Sequence, residues 1–239
     1  MPNNDSGQFH RISGSAVQTA AVTLRNKSGR LVHIIGMSHI ANPRYWKEIN
    51  HVIHKYDSHG WQIHFERVKP ITDQQLRSLA PAEREMLDGI HSVLNGNYGF
   101  GKSSKLVFQG DVLKLPPTAV NTDTDMATLV QSLAQGQDVH VMQQVMALVS
   151  KLPRTLRKMA ALIAFMPGVE PGESSLTKVL KDDRNHIALS EIDNTSDNVL
   201  MLWGAAHLPG ICQGLATRGF SETDRQWHTV FTVGELFAP

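Results

Sequence analysis

Two histidines in this chain share one local context. Gly36-Met37-Ser38-His39 follows the apolar run Leu31-Val32-His33-Ile34-Ile35, and Gly204-Ala205-Ala206-His207 follows Val199-Leu200-Met201-Leu202-Trp203. A neutral imidazole in such a place can ligate a metal or relay a proton when a carboxylate stands beside it. The short run Trp61-Gln62-Ile63-His64-Phe65 leads into Glu66 and Arg67 and offers that carboxylate. Two imidazoles and a glutamate on one cleft would either hold a divalent ion that activates water, or form a base with its orienting partners. Taken singly, each residue reads as a satisfied polar group at a strand end. The repeated Gly-x-x-His context argues for one shared site.

The elements that must position these residues follow from the same runs. Nearly continuous apolar stretches bounded by small residues read as strands buried on both faces, and residues 211–218 read as a helix packed behind the second. In an open α/β sheet, ligands gather beyond the carboxyl ends of parallel strands, where His39, Glu66 and His207 all fall. Residues 16–24 and 31–35, around Arg25-Asn26-Lys27-Ser28-Gly29-Arg30, predict an N-terminal hairpin. Asn42-Pro43 starts a helix whose stripe is Tyr45, Ile49, Val52, Ile53 and Tyr56, with Trp46 in the core or at an interface. His51, His54 and His59 read as surface residues. Helical patterns over residues 71–94, 139–166 and 176–189 predict a large helical insertion, about 71–189, that serves as a lid or a partner surface. Residues 227–233 give a last strand at a sheet margin. The expected fold is α/β: a flexible arm over 1–15, then one domain over 16–239 with a mainly parallel central sheet.

Several motifs together resemble the TraB/PrgY family, relatives of the Tiki proteins and more distantly of the ChaN and erythromycin-esterase proteins. They are the two Gly-x-x-His turns, Phe65-Glu66-Arg67, Val107-Phe108-Gln109, Asp123-Thr124-Asp125-Met126, Asp183-Arg184-Asn185 and Gly204-Ala205-Ala206-His207-Leu208-Pro209-Gly210. Their order and spacing match from about Val17 to Phe231. The resemblance implies metal-dependent hydrolysis of a peptide or other acyl bond, with His39, His207 and Glu66 as metal ligands and Glu66 also as general base. It makes Arg184 a cleft cation, and Arg67 and Asp123 substrate-binding residues. Read from their neighbours alone, Arg184 pairs locally with Asp182 and Asp183, and Asp123 and Asp125 cap a helix starting at Met126. The implied cofactor is a divalent metal, and manganese, cobalt, zinc and iron all suit such ligands.

The rest of the composition narrows the field. The 239 residues carry 23 Lys plus Arg against 22 Asp plus Glu, so net charge gives no pull toward nucleic acid or an anionic membrane. No run approaches the roughly 20 apolar residues that span a bilayer. A single cysteine, Cys212, fits a reducing compartment and reads as a small packed hydrophobe, so a cytoplasmic location is expected. Met142, Met146, Met159 and Met166 read as core filling. Gly96-Asn97-Tyr98-Gly99-Phe100-Gly101-Lys102-Ser103 matches the phosphate-binding loop in letters, but a helical pattern precedes it where a buried strand is required. Two alternatives to the hydrolase stay open: a non-catalytic peptide-, haem- or metal-binding module using the same cleft, and nucleotide binding through Gly96–Ser103.

Overall fold

The computed structural model describes residues 8–97, 105–135 and 181–237. In chain order they form β1 (His10–Ser13), β2 (Ala16–Arg25), β3 (Leu31–Met37), β4 (Ile40–Ala41), α1 (Pro43–Ser58) and β5 (Gln62–Phe65). Next come α2 (Asp73–Ser78), α3 (Pro81–Asn97), β6 (Val107–Phe108), α4 (Gln109–Val112), β7 (Val120–Asn121) and α5 (Met126–Gln135). The last described stretch holds α6 (Asp183–Asp193), β8 (Val199–Gly204), a 3-10 turn (Ala205–His207), α7 (Leu208–Thr217), β9 (Ser221–Thr232) and α8 (Val233–Phe237).

This is a mixed α/β fold with a central, mostly parallel sheet. Strands β3, β8, β5 and β7 lie side by side and parallel, with Met37 opposite Gly204, Phe65 opposite Leu202 and Asn121 opposite Phe65. All four therefore end at one edge. The hairpin of β2 and β3 forms as expected. One edge of β2 is shared by β1 and β3, while β9 pairs along the other with two register shifts.

Burial of β8 on both faces explains the layering. Leu200 and Leu202 pack with Tyr45, Trp46, Ile49 and Ile53 of α1; Val199, Met201 and Trp203 pack with Ala188, Leu189 and Ile192 of α6 and with Leu208, Ile211 and Leu215 of α7. Asn42 caps α1 by accepting from the Tyr45 amide at 2.8 Å. Trp46 is a core residue whose Nε1 donates to the Val107 carbonyl at 3.0 Å. His51, His54 and His59 are exposed. Helices α6 and α7 touch through glycines: a methyl on Gly210 would collide with Asn185 Nδ2, and one on Gly214 with Leu189.

Three boundaries differ from expectation. The arm expected over 1–15 is a strand at His10–Ser13, because β2 leaves that part of its edge to be paired. The last strand is longer, running over Ser221–Thr232, since pairing to β2 supplies its backbone bonds even where its side chains are polar. Within 71–189 the described residues are not a purely helical insertion: β6 pairs with β4, and β7 belongs to the central sheet. The expected helical hairpin over 139–166, its methionines and the start of the 176–189 helix lie outside the described residues. Among those that are described, no helix is long and apolar enough to cross a membrane.

Candidate functional site

The edge where the four parallel strands end collects a buried polar cluster. Past β5 and β7 the two chain segments stay side by side, with the Thr122 amide donating to Phe65 O at 3.1 Å and the Lys69 amide to Thr124 O at 2.9 Å. Glu66 and Asp123 thereby come close together. Arg184, in the first turn of α6, reaches both. Its Nε and Nη2 donate to the two oxygens of Asp123 at 2.8 Å each, a two-pronged fit of guanidinium to carboxylate, and Nη2 also donates to Glu66 Oε1 at 2.5 Å. The Asp123 side chain is fully enclosed. The other oxygen of Glu66 accepts from the Gly204 amide at 2.5 Å. A methyl on Gly204 would sit 3.0 Å from that oxygen, so the missing side chain is what lets the carboxylate reach the backbone.

His207 closes the cluster from the 3-10 turn after β8. Its Nδ1 lies 2.7 Å from Asn185 Oδ1, and its Nε2 lies 3.5 Å from Arg184 Nη1 and 3.6 Å from Glu66 Oε1. The ring meets Trp203 edge to face, with centroids 5.1 Å apart, and Trp203 is itself fixed by donating to Thr122 Oγ1 at 3.2 Å.

Burial sets the protonation states. It lowers His207 to about 4, a direction that Arg184 reinforces and Glu66 opposes. Burial alone would raise the Glu66 carboxyl, and a proton on His207 would lower it. With His207 uncharged at neutral pH, the Arg184 guanidinium and the Gly204 amide remain to hold Glu66 below the ordinary carboxylate value. For Arg184, burial disfavours the charge, but Asp123 and Glu66 more than compensate and raise its pKa above the ordinary arginine value.

Of the residues expected from sequence, Glu66, Asp123, Arg184 and His207 come together. His39 stands at the rim: it is exposed, and near enough that its charge bears on Glu66. Arg67 is exposed, with its guanidinium 5.6 Å from the Phe65 ring centre. Arg184 departs from the local ion pair read from its neighbours, and lies in the cleft. Its partners are Asp123 and Glu66 instead of Asp182 and Asp183, and those contacts commit its fork to the protein. Capping falls to Asp125, which accepts from the Thr128 amide at 3.0 Å. Asn185, Trp203 and Thr122 were not singled out as site residues. Asn185 is the hardest to see, since neighbours on a helix point about 100° apart and the Arg184 position gives no reason to expect it in the same place.

Neither a family model nor a curated protein nor a solved structure matches this chain. What the cleft can do is therefore read from its atoms. Among the described residues no group of three or more His, Cys, Asp and Glu is arranged to hold a metal ion. Two of the expected donors nevertheless suit one. His207 is neutral and Glu66 ionised near pH 7, the states that ligation requires, and each carboxylate oxygen has a second lone pair beyond the one Arg184 or Gly204 engages.

Elsewhere, Cys212 is half-buried beside the α6–α7 core, and its thiol is pushed up to about 12 by burial, so it is no nucleophile at neutral pH. Gly96 and Asn97 belong to α3, so a helix leads into the glycine-rich motif; residues 98–104 lie outside the described residues.

Proposed function

We propose that this cleft is the active site of a hydrolase acting on a peptide or other acyl bond, assisted by a divalent metal held by His207 and Glu66 with His39 as third ligand. The observation that carries the reading is the meeting of Glu66, Asp123, Arg184 and His207 at the carboxyl ends of four parallel strands, where α/β folds bind their ligands. Such an ion, when bound, would polarise the acyl oxygen and bring a bound water toward a pKa of about 7.

The chain's own residues do the positioning. Asp123 anchors Arg184, Arg184 steers Glu66 Oε1, and the Gly204 amide fixes Oε2, so the carboxylate is held at both ends. Trp203 and Asn185 leave the His207 ring one orientation. Held this way, Glu66 is kept ionised and oriented, ready to bind the ion and to serve as general base. The resemblance to the TraB/PrgY family supports the same reaction class.

The test is metal analysis of the purified protein together with a screen of peptides and esters, for the wild type, His207→Ala and Glu66→Gln. Metal uptake and turnover that both vanish in His207→Ala support the reading. No affinity for manganese, cobalt, zinc or iron, with no turnover, overturns it. The commitment of Arg184 to two carboxylates favours one other outcome, metal or peptide binding without turnover, and the same screen separates the two.

A further inference from the structure

The proposal above needs the Nε2 lone pair of His207 to face the cleft, and the residue that decides this is Asn185. We propose that Asn185 is a positioning residue that locks His207 in the tautomer protonated at Nδ1; the inference rests on the hydrolase reading for its purpose but not for its evidence.

Three observations carry it. His207 Nδ1 lies 2.7 Å from Asn185 Oδ1, a short and well-formed hydrogen bond, whereas Nε2 has longer contacts, 3.6 Å to the acceptor Glu66 Oε1 and 3.5 Å to the donor Arg184 Nη1. The guanidinium has donors and no acceptor, which suits a bare Nε2, but at 3.5 Å it is a weak determinant beside the 2.7 Å bond to Asn185. The short bond to an oxygen that only accepts therefore puts the single proton of the neutral ring on Nδ1, donated to Asn185 Oδ1, and leaves Nε2 bare. An imidazole is usually oriented for ligation in this way, by the bond its other nitrogen makes.

The amide is held as firmly as the ring. Asn185 is 6 % exposed, and Gly210 of α7 presses on its Nδ2, so close that a methyl at 210 would collide with it. The side chain has little room to turn over and present nitrogen to the imidazole. Gly210 thus acts on His207 from the neighbouring helix through Asn185, with no contact of its own needed at the metal position.

The decisive measurement is long-range proton–nitrogen correlation NMR on metal-stripped protein labelled at histidine nitrogen, at one pH where His207 is uncharged. The expected spectrum has His207 protonated at Nδ1 with Nε2 bare. Asn185→Asp, which keeps the acceptor, should preserve that pattern. Asn185→Leu should move the proton to Nε2, and Zn2+ affinity by calorimetry should fall roughly 10–100-fold. If Asn185→Leu does not fold, Gly210→Ala, which displaces the amide without removing it, should shift the tautomer the same way. A wild-type spectrum with the proton on Nε2, or a tautomer unmoved by displacing Asn185, overturns the inference. An Nδ1-protonated His207 in a protein that neither takes up Zn2+ nor hydrolyses anything leaves the inference standing and removes the hydrolase reading.

Discussion

The two Gly-x-x-His turns have the same spacing and end differently. In the turn after β8, Gly204 leaves room for a carboxylate, Ala205–His207 winds into a 3-10 turn, and the imidazole is buried between Asn185, Arg184 and Trp203. In the turn after β3, a methyl on Gly36 would lie 2.8 Å from the Ala20 carbonyl and 3.2 Å from Ala205, and the histidine that follows is exposed. One glycine makes space for chemistry, the other for packing between the hairpin and the second turn. A shared motif therefore fixes where a residue leaves a strand, while the neighbours at that level of the sheet decide what it becomes.

The contrast is broken most severely at Arg184. Arg184→Leu would leave the Glu66 and Asp123 carboxylates enclosed without their cation, and breaking a buried pair in this way costs about 3–5 kcal/mol. Urea denaturation should register that loss, and a loss under 1 kcal/mol would mean that water already reaches both carboxylates.

A third imidazole separates burial from site formation. His33 is buried on β3, stacked on Tyr56, with Nδ1 2.8 Å from Thr23 Oγ1. Burial lowers it to about 4; His228 and Lys55 act in the same direction and Asp224 against it. Its folded pKa lies below its unfolded value, so between about pH 6.5 and 4 the unfolded chain takes up the extra proton and stability falls as pH falls. The contribution is about 1.4 kcal/mol per pH unit inside that window, near 3 kcal/mol across it. His33→Gln should flatten the stability–pH curve by that amount between pH 6.5 and 4, and an unchanged slope would refute the assignment.

The glycines themselves can be exchanged. Gly36→Ala drives a methyl against a backbone carbonyl and should cost about 1–3 kcal/mol in thermal or urea unfolding. Gly204→Ala meets a side-chain oxygen instead, so its main effect should be on metal uptake, with a smaller effect on stability. Equal stability losses in both would erase the distinction drawn between them.

The smallest effect on folding belongs to the rim. His39→Ala should change stability by no more than about 0.5 kcal/mol, as exposed substitutions do. His207→Ala should cost about 1–3 kcal/mol by leaving Asn185 Oδ1 buried without its partner. If His39 is the third ligand, both variants lose metal despite that difference, and retention of metal by His39→Ala would confine the site to the buried side.

Much of the frame was legible because burial on two faces leaves a strong mark. β8 and β3 announce themselves as apolar runs, and Asn42-Pro43 declares the start of α1. β7 could not be seen: two residues, Val120–Asn121, give no periodicity, and only their neighbour β5 makes them a strand. The same holds for the site. Glu66 and His207 were readable from their places at strand ends. The fork joining Arg184 to Asp123 was not, because each residue also had a sufficient local account, as an ion pair with Asp182 and Asp183 or as a helix cap, and only the fold chooses between local and distant partners.

Counting charge over the cluster gives one more consequence. Glu66 and Asp123 contribute two negative charges, Arg184 one positive and neutral His207 none, so the enclosed floor of the cleft is one unit negative at pH 7. An acidic group on a substrate gains nothing by approaching that floor, despite the arginine in it. A cation does.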